Sequence, residues 1–180
     1  MASTRSTSET PVFSLRELLE QQLRDLFDAC LQYSGYLPQM QRAASSPDLR
    51  RQLEVIQREA EDALTHLGHA CTLMGLDPAG QPCEAMKGLI REAREQAVEP
   101  MESAARDAAL ISQVQRIAHY GIAGYGTARE FARCLKLAEV GEILNDLLRT
   151  SSEQDRALTR LAVGGWFSPG INSEAADSAA

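Results

Sequence analysis

Apolar residues recur every three or four positions through most of the chain, which is the spacing of one face of an α-helix. No run shows the alternation with a period of two that marks a half-buried strand. Ala, Leu, Glu, Arg and Gln, which favour helices, fill most of the intervening positions. The pattern therefore predicts an all-α protein without strands.

The first long helix is predicted to begin after Ser14, because Ser is a favoured N-cap and Glu17 can complete a capping box. It should end near Ala43. A second helix should begin at Pro47, a typical first helical residue, and the short loop before it predicts an antiparallel hairpin. The predicted core faces are Leu15, Leu19, Leu23, Leu26, Cys30 and Leu37, then Leu49, Leu53, Ile56, Ala60, Ala63, Leu67, Cys71 and Met74.

The second half of the chain predicts one short helix and two more long ones. Gly and Pro interrupt the pattern at 75–80, and residues 83–96 form a short amphipathic connector. A third long helix should begin near Ser103 and a fourth near Leu137. Four long helices with a short extra connector helix predict a bundle. Its remaining core faces are Asp107, Ile111, Val114, Ala118, Ile122 and Tyr125, then Val140, Leu144, Leu148, Ser151, Asp155, Leu158 and Ala162.

Both ends of the chain lack a periodic apolar face. Residues 1–13 are rich in Ser and Thr, and residues 164–180 are small, polar and interrupted by Gly and Pro. We therefore expect a disordered N-terminal tail at 1–13, a helical bundle at 14–163 and a flexible, poorly packed C-terminal tail at 164–180. Trp166 and Phe167 are expected to cover the end of the bundle.

Composition narrows the classes of partner. A chain of 180 residues with 44% hydrophobic residues can bury the core of one domain. Its formal charge of −7 opposes binding to nucleic acid and to anionic membranes. The N-terminal sequence lacks the apolar core of a signal peptide, so we expect a cytoplasmic protein.

The four cysteines are Cys30, Cys71, Cys83 and Cys134, and no two of them form a Cys-x-x-Cys pair. They lie in helical sequence, so reduced thiols are expected. A pair of histidines three residues apart, His66 and His69, lies off the apolar face and is interpreted as incidental. Three glycines of the third long helix, Gly121, Gly124 and Gly126, are expected to permit close helix packing.

Five stretches of the sequence are distinctive when taken together. They are Leu-Arg-Asp-Leu-Phe-Asp-Ala at 23–29, Ala-Ala-Ser-Ser-Pro-Asp-Leu at 43–49, Cys-Glu-Ala-Met-Lys-Gly-Leu-Ile at 83–90, Arg-Asp-Ala-Ala-Leu-Ile at 106–111 and His-Tyr-Gly-Ile-Ala-Gly-Tyr-Gly-Thr at 119–127. In this order they resemble the YciE/YciF family of ferritin-like proteins. The resemblance implies a ferritin-like four-helix bundle from a bacterial, cytoplasmic and usually dimeric protein. It also implies a role in stress responses without a settled activity, and inward-facing carboxylates for two metal ions.

Most of the family's metal ligands are replaced at the matching positions. Where the family has Asp-Ala-Glu on the first helix, this chain ends the motif with Cys30, and the His-x-x-Glu of the second helix becomes Ile56 and Glu59. The resemblance also matches Glu-His-Tyr-Glu on the third helix to Ala118, His119, Tyr120 and Gly121. On the fourth helix Ser151 replaces a Glu, whereas Asp155 is retained.

Two metal ions between helices need several anionic oxygens, and the soft Cys30 thiol suits a hard di-iron site poorly. We therefore predict a degenerate site with no bound metal and no other cofactor. The expected function is non-catalytic, through association as a homodimer or with a ferritin-like paralogue. Two alternatives stay open. One is an iron or manganese oxidase or peroxide-consuming protein with a rearranged site of Glu59, His119 and Asp155, and the other is a redox sensor centred on Cys30.

Overall fold

The computed structural model describes residues 14–97, 101–165 and 168–177. Four long helices and a short connector helix confirm the predicted ferritin-like bundle. In chain order, the elements are α1 (Leu15–Ala43), α2 (Pro47–Leu73), α3 (Glu84–Ala97), α4 (Ser103–Cys134), α5 (Ala138–Val163), β1 (Gly164–Gly165), β2 (Ser168–Pro169) and α6 (Ile171–Asp177). None of the helices in these described ranges is long and apolar enough to cross a membrane.

The beginnings of the first two helices follow the local sequence. Ser14 and Glu17 form the predicted capping box, in which the Ser14 hydroxyl accepts from the Glu17 N–H at 3.2 Å and the Glu17 carboxylate accepts from the Ser14 N–H at 2.7 Å. The Ser46 hydroxyl caps α2 by accepting from the Leu49 N–H at 3.3 Å, with Pro47 as the first helical residue. These caps satisfy N–H groups that have no partner within the helix, so both helices begin at the predicted residues.

The core runs along the bundle axis and is almost entirely apolar. The largest fully buried side chains come from α1, α2, α4 and α5, and they are Leu19, Leu23, Leu26, Leu37, Met40, Leu49, Leu53, Ile56, Leu67, Val114, Leu144 and Leu158. Most of these residues belong to the apolar faces predicted from the sequence. Their burial supplies the main driving force for folding, because apolar surface removed from water is stabilising roughly in proportion to its area.

Asp107 is a buried exception near the start of α4. Its side chain is 3% exposed, and its two carboxylate oxygens accept from the Ser45 N–H at 2.8 Å and the Ser46 N–H at 2.6 Å. These two donors belong to the loop between α1 and α2. The bonds satisfy the buried charge and fix the loop against α4, which explains why two separate motifs of the resemblance occur together.

The end of the chain corrects two sequence-based expectations. β1 and β2 form an antiparallel pair of two residues each, and α6 packs against α4 and α5 with Ile171 buried. We had expected no strand and a poorly packed segment here. Strands of two residues and a seven-residue helix with one buried apolar residue are too short to produce a periodic pattern.

Glycines permit the reversal that brings α6 back. Gly164 ends α5 with a positive φ of 78°, and a Cβ on Gly170 would lie 2.3 Å from the Val163 carbonyl carbon. The predicted N-terminal tail at 1–13 and the predicted covering role of Trp166 and Phe167 lie outside the described residues.

The glycines of α4 differ in how closely their neighbours approach. A Cβ on Gly124 would lie 2.6 Å from a methyl carbon of the buried Leu26 on α1, whereas a Cβ on Gly126 would make only an ordinary contact at 3.9 Å. A Cβ on Gly121 would lie 3.1 Å from the Tyr125 ring. Close packing of α4 therefore uses Gly124 and Gly121, while Gly126 has room for a side chain.

Replacement of Asp107 by Ala should lower the free energy of unfolding by about 3 to 5 kcal/mol, since two N–H groups lose a charged acceptor. Asp107→Asn keeps one acceptor oxygen and should lose about half as much. Urea denaturation followed by circular dichroism measures both. The control Asp146→Ala removes an exposed carboxylate and should change stability by about 0.5 kcal/mol or less. Equal stability of Asp107→Ala and the control would contradict the assigned role.

Replacement of Gly124 by Val should lower the free energy of unfolding by about 1 to 3 kcal/mol, because the new side chain must displace Leu26 in a packed core. The matched change Gly35→Ala is also helical but has no atom within 4 Å of the added Cβ. It should stabilise the protein by about 0.5 to 1 kcal/mol through helix propensity. Thermal melting of both variants checks the pair, and stabilisation by Gly124→Val would exclude the close contact.

Candidate functional site

A cavity of about 50 Å³ lies between the four long helices, with one residue contributed by α3. Its lining is mostly apolar, with a few polar side chains from α1, α2, α4 and α5. The lining residues are Leu26, Ala29, Cys30, Tyr33, Glu59, Ala60, Ala63, Met86, Ile117, Ala118, Tyr120, Gly121, Tyr125, Leu147, Thr150, Ser151 and Gln154. By the space that one water molecule needs, this volume corresponds to about three to five water-sized positions.

Five of the site positions predicted from the sequence line this cavity together. They are Cys30, Glu59, Ala118, Gly121 and Ser151. The other two, Ile56 and Asp155, are not among the lining residues: Ile56 is fully buried in the apolar core, and Asp155 takes part in a different set of contacts. Of the seven positions, only Glu59 therefore brings a carboxylate to the cavity.

Asp155 is engaged at the outer side of α4 and α5. Its carboxylate accepts from the Gln115 side-chain amide at 2.9 Å and lies 3.3 Å from the His119 ring nitrogen. The His119 side chain is 64% exposed. Glu59 instead accepts from the Gln154 side-chain amide at 2.7 Å. Of the three residues of the rearranged-site hypothesis, His119 and Asp155 therefore contact each other, whereas Glu59 has a different partner.

The donor set does not fit a di-metal centre. Two divalent or trivalent ions need several anionic oxygens to balance their charge, whereas Glu59 is the one carboxylate among the described residues that line the cavity. Throughout the ranges that the structure describes, no three His, Cys, Asp or Glu side chains are grouped so that they could hold a metal ion. The His66 and His69 pair is exposed, and His69 lies 3.5 Å from Glu139 on α5.

Cys30 is a poor candidate for a reactive thiol. Its side chain is buried, and its Sγ–H donates to the Ala60 carbonyl oxygen at 3.2 Å. Burial raises the pKa of the Cys30 thiol to about 12, because the thiolate would lose its hydration. At neutral pH the group is therefore a neutral thiol, and this protonation state suits neither metal ligation nor nucleophilic attack.

Tyr33 and Gln154 are cavity residues that the sequence-based reasoning missed. Tyr33 follows Cys30 by three positions on α1, and Gln154 follows Ser151 by three on α5, so each lies on the same helical face as a predicted site residue. Extending the metal-ligand positions by one helical turn would have found both. Sequence alone favours a core role for Tyr33, because an aromatic residue on an apolar face is usually part of the core.

Tyr33 carries an unusual buried hydroxyl. The side chain is 8% exposed, and its hydroxyl oxygen has no hydrogen-bond partner among the described residues. Burial is the main cause of the raised pKa of Tyr33, and the negative charge of Glu59 adds to it. Burial likewise raises the pKa of Tyr125, which lines the same cavity. Both phenols are therefore neutral hydroxyl groups.

The pKa of Glu59 is raised above its ordinary value. Burial is the main cause, and the hydrogen bond from Gln154 acts in the opposite direction because it favours the carboxylate. The negative charge of Glu153 raises the pKa further, whereas the positive charge of Arg58 lowers it. Glu59 is half-buried, so the cavity meets solvent on the side of this carboxylate.

A polar network beside the cavity holds α3 against the bundle. The Tyr120 hydroxyl donates to the Asp25 carboxylate and lies 3.0 Å from Cys83 Sγ. The Cys83 N–H donates to the Asp28 carboxylate at 2.7 Å. Three motifs of the resemblance, at 23–29, 83–90 and 119–127, thus meet at one place through hydrogen bonds that position the connector.

Comparison with known proteins establishes the family. The family model described as a domain of unknown function, DUF892, matches residues 14–175. The chain belongs to the DUF892 family. A member from Escherichia coli strain K12, protein YciF, is 30% identical over 142 residues, which cover 78% of this chain and 86% of YciF. The resemblance to YciE/YciF proteins is confirmed.

Two solved structures share the fold of this DUF892 protein. One, described as YcfI, a putative structural protein from Rhodopseudomonas palustris, has a TM-score of 0.82 and 30% identity, and the match covers 86% of this chain and 98% of that chain. The other is the crystal structure of the E. coli stress protein YciF, with a TM-score of 0.81 and 28% identity, covering 84% of this chain and 96% of that chain. The described architecture is therefore shared with these two solved structures.

Thiol titration tests the assignment of the cysteines. Cys134 is exposed, whereas Cys30, Cys71 and Cys83 are buried, so Ellman's reagent at pH 8 should modify one thiol quickly in the native protein and all four in denaturant. A pKa of about 12 leaves Cys30 about a thousandfold less thiolate than an ordinary cysteine has at this pH. The variant Cys134→Ser should lose the fast phase. A fast phase that persists in Cys134→Ser and disappears in Cys30→Ala would support the alternative function as a redox sensor.

Proposed function

We propose that this DUF892 protein is a non-catalytic ferritin-like protein that acts through protein–protein association in a stress-related role. The observation that carries the proposal is the lining of the central cavity, where Cys30, Ala118, Gly121 and Ser151 occupy positions at which the family resemblance implies metal chemistry. Glu59 supplies one carboxylate there, too little charge for two metal ions. The descriptions of the two related structures, a stress protein and a putative structural protein, agree with this class of function.

The proposed partner is a second copy of the chain or a ferritin-like paralogue, and the proposed location is the cytoplasm. Neither nucleic acid nor an anionic membrane is a favourable partner, since the formal charge is −7. Sedimentation velocity of the purified protein over a hundredfold range of concentration tests the homodimer. A monomeric mass at every concentration would exclude self-association and leave the paralogue as the proposed partner.

The two rival functions have less support in the site. The oxidase would need Glu59, His119 and Asp155 to converge on a metal, but His119 and Asp155 contact each other at the outer side of α4 and α5. The redox sensor would need an accessible thiolate, whereas the Cys30 thiol is buried and hydrogen-bonded. We therefore place the non-catalytic role first.

Metal analysis tests the degenerate site directly. After aerobic reconstitution with iron or manganese and removal of excess metal, the protein should hold well under one ion per chain. Its melting temperature should not rise with added metal, because a ligand that does not bind the native state cannot stabilise it. Two ions per chain between the helices would overturn the proposal and make the di-metal oxidase the preferred function.

A variant designed to bind metal in the cavity tests the same assignment from the opposite direction. Cys30→Glu with Ser151→Glu would add two carboxylates beside Glu59, and we expect metal to raise the melting temperature of this variant. Gly121 is better left unchanged, because the Tyr125 ring would crowd any added side chain. The control Leu31→Glu with Ser152→Glu adds the same charge at neighbouring positions that do not line the cavity. Equal stabilisation of the control by metal would mean that the ions bind at the surface.

A further inference from the structure

The central cavity combines one carboxylate with an unsatisfied phenol. Glu59 of α2 and Tyr33 of α1 both line it. The Tyr33 side chain is 8% exposed, and its hydroxyl has no hydrogen-bond partner among the described residues. A buried hydroxyl without a partner is costly and uncommon in native proteins, so it points to an occupant that completes its hydrogen bonding.

The charge of the cavity lining favours a ligand of one charge sign over the other. Among the described residues around the cavity, none is a Lys, Arg or His, and the Glu59 carboxylate supplies the one formal charge. An anion would meet this carboxylate without any compensating cation, which makes it unfavourable. A cation would instead neutralise a partly desolvated carboxylate and gain a charge-assisted hydrogen bond.

The remaining lining sets the shape and size of the ligand. Apart from Glu59 and the Tyr33 hydroxyl, most of the side chains that line the cavity are apolar, and they include Ala29, Ala60, Ala63, Met86 and Leu147. Tyr33 and Tyr125 add two aromatic rings to the lining, and aromatic rings attract cations at their faces. The volume of about 50 Å³ admits a molecule of about three to five non-hydrogen atoms. Such a lining suits a small organic cation that has several N–H donors at one end and a short apolar chain at the other.

From these observations we infer that the cavity binds a small primary ammonium cation, whose N–H groups donate to the Glu59 carboxylate and the Tyr33 hydroxyl while its alkyl chain packs against the alanines. The ligand enters from the side where Glu59 and Gln154 are half-buried. The inference goes beyond the proposed function, which assigns no ligand to the cavity. One ammonium ion needs a single carboxylate and does not require the carboxylates of a di-metal site.

Titration with ethylammonium chloride, followed by protein NMR shifts and by thermal melting, tests the inference. A ligand of three non-hydrogen atoms can bind with a Kd no tighter than about 1 mM, so the titration runs to about 100 mM against sodium chloride of equal ionic strength. We expect saturable shifts of cavity residues and a rise in melting temperature. Ethanol and acetate, of similar size but neutral or anionic, should bind more weakly.

Matched variants locate the site. Tyr33→Phe should weaken ethylammonium binding about three- to tenfold, and Glu59→Gln about tenfold or more, as expected for the loss of a neutral and a charged hydrogen bond. Tyr36→Phe and Glu61→Gln remove the same groups from neighbouring positions outside the cavity lining and should leave the affinity unchanged. Circular dichroism establishes that each variant is folded.

Three outcomes would overturn the inference. They are absence of saturable binding, equal affinity in Tyr33→Phe, Glu59→Gln and the unmodified protein, and binding of ethanol or acetate as tightly as ethylammonium. Failure here is distinguishable from failure of the proposed function, because metal content and the state of association are measured separately. A protein that binds neither ethylammonium nor metal still fits the non-catalytic proposal.

Discussion

The carboxylate of Asp107 holds three helices in register from one buried position. It accepts two backbone N–H groups from the loop between α1 and α2 while its own backbone belongs to α4. The loop cannot shift along α4 without leaving a buried charge and two donors unpaired, which is strongly unfavourable. The relative heights of α1, α2 and α4, and with them the residues that meet at the central cavity, depend on this contact.

The cavity is a place where the bundle keeps polarity inside an apolar core. In a ferritin-like metal site the cost of burying several carboxylates is offset by the charge of the ions. This chain has small, apolar or neutral groups at most of the positions that the family resemblance matches to ligands, so several carboxylates are not buried together there. Glu59 is half-buried at the cavity, where its carboxylate accepts a hydrogen bond from the Gln154 side-chain amide.

The polar contacts around the cavity have a clear structural role, because they connect helices to one another. Tyr120, Asp25, Cys83 and Asp28 tie the connector α3 to α1 and α4 through hydrogen bonds. Arg94 of α3 also lies over the Tyr36 ring of α1, with 5.1 Å between the guanidinium carbon and the ring centre. These contacts give the motifs at 23–29, 83–90 and 119–127 a structural role that does not depend on metal ligands.

Helix boundaries and core faces were determined by the sequence alone, because caps such as Ser14 with Glu17 and apolar residues at helical spacing act locally. The resemblance also predicted a set of site positions, and the structure brings five of them, Cys30, Glu59, Ala118, Gly121 and Ser151, around one cavity. What only tertiary structure decided is which side chains share an environment. The exclusion of Ile56 and Asp155, the unsatisfied Tyr33 hydroxyl, the anchoring by Asp107 and the packing of α6 all depend on contacts between residues far apart in the chain, and local periodicity carries no information about such contacts.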